Sequence, residues 1–341
     1  MRVVCDAHIP FIVEAVRSAW PEVHIYPMKP DEIDAAAVRN ADVLVVRTRT
    51  KVNEDLLRAS RVRLVCTATI GFDHIDTAYC ESRGIRWTAC PGCNAQAVCD
   101  YIEETLNEIF QISNFKSQIS NTPTLGVIGV GHVGSLVAKM AERKGLNVLL
   151  NDPPKGIGVP LDDIARQCDI ITFHVPLTTN PLTSNPLTST PTYHLCDASF
   201  LQKCQPGAWI INTSRGGVVD ERALLESGHP YVLDVWENEP DIDLAVLEKA
   251  QLASMHIAGY SMEGKRNASQ MCLDAIAETY GLAKSQITNL QCFGGCRSRL
   301  AWPYHGAIKK RPESLRVAAS ALSVALISTV LCRAPAEAGM L

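Results

Sequence analysis

The chain has 341 residues, 47% of them hydrophobic and 20% charged. This suits about two domains with full cores and excludes wholesale disorder. Its net charge of −4 excludes a whole-protein basic field for nucleic acid. That figure hides an asymmetry: residues 1–280 carry 24 basic and 34 acidic side chains, whereas residues 281–341 carry 8 and 2. Thirteen cysteines, an odd number without a regular framework, read as reduced, buried small hydrophobes. The opening Met-Arg-Val-Val-Cys-Asp lacks a long apolar run and starts like a strand, so a cytoplasmic location is expected.

Short β-rich runs alternate with helical patterns from the first residue: Val3–Cys5, a helix from about Pro10, then Val43–Arg47 and Leu64–Thr67. The rhythm predicts βα units on a parallel sheet. Asn94 is placed to cap a helix whose apolar positions Ala97, Val98, Tyr101, Ile102, Leu106, Ile109 and Phe110 recur at helical spacing. The polar stretch Gln111–Thr124, with Gln-Ile-Ser-Asn at 111 and again at 118, reads as a connector. A second α/β block runs from Leu125 to about Ile257. Inside it, Thr178–Thr192 holds Asn-Pro-Leu-Thr-Ser twice in tandem, which reads as a polar surface insertion.

Gly129, Gly131 and Gly134 stand in G-x-G-x-x-G spacing between an apolar strand and a helix with Val133, Leu136, Val137 and Met140 on one face. Gly145 ends that helix, and a second strand, Asn147–Leu150, leads to Asp152, eighteen residues after the last glycine. The roles divide physically. Gly129 makes the tight turn, Gly131 lets backbone approach a pyrophosphate, and Gly134 lets helix and strand pack closely. The helix N-terminus offers free N–H groups to phosphate. Asp152 accepts from the ribose hydroxyls and repels a 2′-phosphate, so NAD is expected as cofactor rather than NADP.

Three ionisable residues follow predicted strands further on. Trp209–Gly217 places Arg215 at a strand's carboxyl end, Tyr231–Pro240 places Asp234 there with Glu239 just beyond, and Met255–Tyr260 supplies His256. Ligands bind at such ends in open α/β sheets. Alone, each residue has a plain structural explanation, such as an ion pair, a solvated turn or a core histidine. Beside a dinucleotide site they have the composition that oxidation of a 2-hydroxy acid needs. A guanidinium holds the carboxylate through two hydrogen bonds, an imidazole takes the hydroxyl proton, and a carboxylate fixes that imidazole's tautomer. Arg215, His256 and Glu239 fit these roles in that order. No metal is called for.

Arg-Gly-Gly-Val-Val-Asp220, Leu-Asp-Val-Trp-Glu-Asn-Glu-Pro240 and His-Ile-Ala-Gly-Tyr260 resemble the D-isomer-specific 2-hydroxy acid dehydrogenases. Within that family, the resemblance narrows to the branch that oxidises 4-phospho-D-erythronate on the route to pyridoxal 5′-phosphate. The narrowing rests on Arg47–Glu54, Thr67–Asp76, Pro91–Ala95, Asp152-Pro-Pro and His256–Lys265, and the resemblance covers roughly residues 1–280. It implies two Rossmann-like domains of parallel sheets, with the nucleotide-binding domain inserted into the substrate domain. The expected boundaries are 1–95 and 258–284 for the substrate domain, 96–257 for the NAD-binding domain, and 285–341 for a divergent basic tail. The resemblance further implies that Arg215, Glu239 and His256 are catalytic and that Thr48, Thr69 and Tyr260 touch substrate. Gly129, Gly131, His132, Val133, Gly134, Asp152, Val175, Thr213, Ser214, Arg215, Asp234 and Gly259 would line the cofactor. Thr48 stands where the family is expected to have serine. The family also implies a homodimer, although residues 285–341 do not match its C-terminal dimerisation domain.

Arg47, Arg49 and Lys51 form a cationic cluster after a strand that could hold a substrate phosphate, with exposed charge at a strand end as the plain structural alternative. Two other readings stay open: another D-2-hydroxy acid such as 3-phosphoglycerate, or a catalytically weak NAD-binding homologue with a compromised C-terminal region. Cys90-Pro-Gly-Cys93 has redox-motif spacing at a helix start, and Cys292, Cys296 and His305 are possible zinc ligands without a regular pattern. Val317–Cys332 carries no charge for sixteen residues, which is too short to span a bilayer and reads as an amphipathic or buried helix.

Overall fold

A computed structural model describes residues 1–111, 122–178 and 191–287. The second Gln-Ile-Ser-Asn, the tandem repeat, the zinc candidates and the uncharged run at 317–332 lie outside these residues. The described chain divides into two compact units. One takes residues 1–111, 122, 130–146 and 257–287, and the other takes 123–129, 147–178 and 191–256.

The first unit is built on a five-stranded parallel sheet: β1 (Arg2–Asp6), β2 (His24–Met28), β3 (Val43–Val46), β4 (Leu64–Thr67) and β5 (Arg86–Thr88), in the order β2-β1-β3-β4-β5. Central strands read as unbroken apolar runs because both faces are covered. Alternate residues divide between two cores. Val3, Cys5, Val43, Val45, Leu64 and Cys66 face one, and Val4, Leu44, Val46 and Val65 face the other. Each fully buried aliphatic side chain contributes about 1.5–3 kcal/mol. The helices are α1 (Ile12–Ala19), α2 (Ala35–Val38), α3 (Glu54–Leu57), α4 (Thr77–Ser82), α5 (Ala95–Gln111), α6 (His132–Arg143) and, near the end of the described chain, Met262–Tyr280. Edge strand β2 tolerates Pro27, which central strands would not.

Two local expectations change. The first helix begins at Ile12 instead of Pro10, because Phe11 turns into the left-handed region at φ 67°. Asn94 does precede α5, but it is not seen to cap it: its buried Oδ1 finds no hydrogen-bond partner. A Cβ on Gly259 would sit 2.1 Å from Asn94 Nδ2, so this side chain packs against that glycine. The apolar face of α5 otherwise follows the predicted spacing, with Val98, Tyr101, Ile102, Leu106 and Ile109 buried.

The second unit carries a seven-stranded sheet: β6 (Thr124–Ile128), β7 (Asn147–Asp152), β8 (Ile157–Gly158), β9 (Ile170–Phe173), β10 (Trp209–Asn212), β11 (Tyr231–Leu233) and β12 (Leu252–Ala253). The order is β12-β11-β10-β9-β6-β7-β8. All pairs are parallel except β7–β8, a two-residue antiparallel return at the edge that the expected parallel sheet did not include. Its helices are α7 (Leu161–Gln167), α8 (Ala198–Lys203), α9 (Glu221–Ser227) and α10 (Leu244–Lys249), which makes Met262–Tyr280 of the first unit α11.

Eight of the described cysteines are buried: 5, 66, 80, 90, 99, 168, 196 and 272. Cys90 lies in the first core with its Sγ 3.8 Å from that of Cys272. The Cys272 contact and burial push its thiol far above the ordinary range, the opposite of what a reactive thiolate needs. Among the described residues no helix is long and apolar enough to cross a membrane.

Candidate active site

Asn212, the last residue of β10 and fully buried, organises the loop that carries Arg215. Its Nδ2 donates to the Arg215 carbonyl at 2.9 Å, and its Oδ1 accepts from Ser214 Oγ at 2.8 Å and Ser214 N at 3.1 Å. Arg215 Nη1 donates to the Ser214 carbonyl at 2.8 Å, which steadies the guanidinium stem.

Asp234 follows β11. Its N–H donates to the Asn212 carbonyl, its carbonyl accepts from His256 N, and its buried carboxylate accepts from Ser254 Oγ. An inward, satisfied carboxylate holds the loop after β12 in place. His256 itself adopts φ 55°, uncommon for a side chain other than glycine. The Asp234 main-chain bond supports that turn and aims the imidazole.

His256 Nδ1 lies 2.9 Å from Glu239 Oε2, and Trp236 N donates to Glu239 Oε1 at 2.8 Å. The Glu239 hydrogen bond and charge hold His256 above its ordinary 6.5, against the effect of burial, with Asp234 adding to the rise and Arg215 opposing it. Burial pushes Glu239 up, but His256, the Trp236 N–H and Arg215 outweigh it and hold the carboxyl below its ordinary 4.5. The structure therefore brings Arg215, Glu239 and His256 into one electrostatic group, drawn from the ends of the adjacent strands β10, β11 and β12. Such a group can hold an anion and exchange a proton beside it.

The dinucleotide turn is built as its sequence requires. Gly129 has φ 88°, and a Cβ there would lie 2.6 Å from the His174 carbonyl oxygen. Val175, next in the chain, is half-buried and also touches that position. His174 is pushed down to about 3 by burial, so it is neutral and bonds Thr172 Oγ1 through Nε2. A Cβ on Gly131 would meet nothing within 4 Å, so the backbone there is open to a ligand. Gly131 is the N-cap residue of α6, His132 and Val133 open that helix, and Gly134 is buried in its first turn. Asp152 ends β7, with Lys155 Nζ 3.6 Å from its Oδ2. The Thr213 hydroxyl is buried without a partner, as a group meant for an absent ligand would be. These features fit a dinucleotide.

In the first unit, Thr48 is exposed in the loop after β3. Thr69 is half-buried, with its Oγ1 2.6 Å from Thr67 Oγ1 and donating to the Gly71 carbonyl at 2.9 Å. Tyr260 is 54% exposed, with the Lys265 ammonium 3.6 Å above its ring. Gly259 is packed on Asn94, so its side of the chain is occupied by protein. Arg47 reaches the His8 carbonyl at 3.5 Å, whereas Arg49 and Lys51 are exposed. Sequence reasoning missed Asn212, Ser254 and Trp236. Strand-end position is a signal for Asn212, but nothing in the sequence marks Trp236 as a donor through its main chain.

A model of the NAD-binding domain of the D-isomer specific 2-hydroxyacid dehydrogenases matches residues 96–258. An erythronate-4-phosphate dehydrogenase of Bacteroides fragilis (strain YCH46) is 45% identical over 291 residues, covering 82% of this chain and 80% of the relative. That of Porphyromonas gingivalis (strain W83) is 41% identical over 294 residues, covering 83% and 76%. The chain belongs to the erythronate-4-phosphate dehydrogenase family. With that membership come the NAD-binding domain and the 2-hydroxyacid dehydrogenase class. Solved structures share the fold. A D-lactate dehydrogenase from Aquifex aeolicus, complexed with NAD and lactic acid, superposes with a TM-score of 0.64 at 24% identity, covering 82% of this chain and 96% of that one. An NAD+-bound 3-phosphoglycerate dehydrogenase from Entamoeba histolytica gives 0.65 at 24%, covering 85% and 99%. These likenesses bear out the expected pair of Rossmann-like domains.

Proposed function

We propose that this chain oxidises 4-phospho-D-erythronate to (R)-3-hydroxy-2-oxo-4-phosphobutanoate with NAD, on the route to pyridoxal 5′-phosphate. The observation that carries the chemistry is the 2.9 Å His256–Glu239 pair within the field of Arg215. Relatives named for this activity at 41–45% identity support the substrate over 3-phosphoglycerate.

Asp152 would hold the adenosine ribose, the open backbone at Gly131 the pyrophosphate, and Thr213 the nearer part of the dinucleotide. NAD held by these residues would supply the acceptor for the C2 hydride. Arg215 pairs with the substrate carboxylate and fixes C2 in place. Ionised Glu239 accepts from His256 Nδ1–H, which leaves the Nε2 lone pair to take the C2 hydroxyl proton. The resulting imidazolium is stabilised by the same carboxylate. Arg47, Arg49 and Lys51 supply cations for the substrate phosphate, with Thr48, Thr69 and Tyr260 as further substrate contacts. Substrate recognition is assigned to residues 1–95 and 258–284, NAD binding to 96–257. A cytoplasmic setting fits the buried thiols, and a homodimer is what the family resemblance implies.

The test is purified protein with NAD and three acids. NADH should form fastest with 4-phosphoerythronate and much more slowly with 3-phosphoglycerate or lactate, and a reversed preference would overturn the substrate. His256→Ala should keep NAD affinity while the rate collapses. A normal rate in that variant removes His256 from the chemistry.

A further inference from the structure

Glu221, the first residue of α9, is 4% exposed and plays no part in the mechanism above. Its Oε1 accepts from Glu237 N at 2.7 Å, while Glu237 Oε2 accepts from Glu221 N at 3.4 Å, so each acid holds the other's main chain. Glu237 Oε1 is also 2.7 Å from His194 Nε2, and His194 N donates to the Gly217 carbonyl at 2.8 Å. His194, Asp220 and Glu237 are close enough to hold a cation, but His194 and Glu237 already satisfy one another. The consequence lies elsewhere. The Glu237 amide held by Glu221 joins directly to Trp236, whose own N–H holds Glu239.

We propose that Glu221 is a positioning residue: by gripping the Glu237 amide it fixes the Trp236–Glu239 turn and so keeps the Glu239 carboxylate on His256. The inference rests on the acid–base reading given above. Burial first, then the charges of Glu237, Asp243 and Glu239, push the Glu221 carboxyl up to about 7, against the pull of the Glu237 N–H. A carboxyl near neutrality keeps a carbonyl-type acceptor in either protonation state. Acceptance, not charge, is therefore the property the site requires, and glutamine should substitute for it.

The experiment compares Glu221→Met, which keeps the volume and removes the acceptor, with Glu221→Gln and Glu239→Gln. Histidine NMR follows the titration of His256, which faces Glu239, Asp234 and Arg215, and steady-state kinetics follows NAD reduction. Glu221→Met should move the His256 midpoint down toward 6.5. It should also lower kcat by about tenfold or more with KM little changed, as a small misplacement of a reacting group does. Glu221→Gln should stay within about twofold of the parent in kcat, because the acceptor is retained. A parental midpoint and rate in Glu221→Met, or a Gln variant as impaired as Met, overturns the proposal. If Glu221→Met does not fold, hydrogen exchange in the unaltered chain decides: a protected Glu237 amide supports the grip, and one exchanging like an exposed loop overturns it. Glu239→Gln separates the two levels. If it leaves the His256 midpoint and rate unchanged, the acid–base reading itself fails, whereas damage there beside an unaffected Glu221→Met refutes the positioning role alone.

Discussion

The main chain of Trp236 occupies the space that a side chain on Gly216 would need: a Cβ there would fall 2.0 Å from the Trp236 carbonyl carbon and oxygen and 2.5 Å from Glu237 N. Glycine is required here by close approach, since no positive φ is involved. The loop bearing Arg215 and the turn bearing Glu239 thus touch backbone to backbone, which couples Arg215 to the His256–Glu239 pair.

Gly216→Ala should therefore cost about 1–3 kcal/mol of stability, as overpacking does, because backbone cannot yield as a side-chain tip can. Urea unfolding measures the loss, and the rate of NAD reduction should fall with it. Gly131→Ala is the contrast. A Cβ there meets nothing within 4 Å, so stability should hold while NAD affinity drops. Equal unfolding midpoints for Gly216→Ala and the parent chain would refute the contact.

The His256–Glu239 pair predicts a particular pH dependence. Glu239 is held below 4.5, so its contribution to stability is present above that value and lost as pH falls through the lower folded one. His256 is held above 6.5, so its contribution is present below that value and lost as pH rises through the higher folded one. On the proposed mechanism, oxidation needs the neutral imidazole of His256. The rate of NAD reduction should therefore decline on the acid side with a midpoint above 6.5. Glu239→Gln should bring that midpoint down, and pH–rate profiles of the two proteins provide the check. A midpoint that does not move would show that the carboxylate does not set the imidazole.

Asp152 is expected to govern the choice of nucleotide. Loss of a charge-assisted hydrogen bond costs about 1.5–3 kcal/mol, so Asp152→Ser should weaken NAD by roughly ten- to a hundredfold. NADP should gain, since the carboxylate that repels a 2′-phosphate is gone. Isothermal titration with both nucleotides decides, and an unchanged ratio of affinities would remove Asp152 from the selection.

Much of this was legible in the chain because the signals are local. The Leu64–Thr67 strand appears with the expected bounds, and Gly145 does end α6, with φ 80°. The Gly129 turn and Asp152 at a strand terminus likewise follow from spacing alone. Other features depend on what packs nearby. Asn94 has the residue type and place of a cap, yet tertiary packing against Gly259 claims its side chain. β8 is only two residues long and pairs through backbone at an edge, which leaves no hydrophobic period to read. Glu221 and Glu237 read as ordinary acids of a helix start and a turn. Their importance arises from main-chain donors that no side-chain pattern encodes.

Arg215, Glu239 and His256 all issue from β10, β11 and β12, three neighbouring strands at one edge of a single sheet. The proposed proton-transfer pair is thus held within one sheet by main-chain bonds from His256 to Asp234 and from Trp236 to Glu239. On the proposed roles, substitutions at Thr48 and Thr69 of the first unit should alter substrate choice while leaving the His256–Glu239 pair of the second unit unchanged. Redesign of specificity on this scaffold should begin in the first five strands and leave the last three alone.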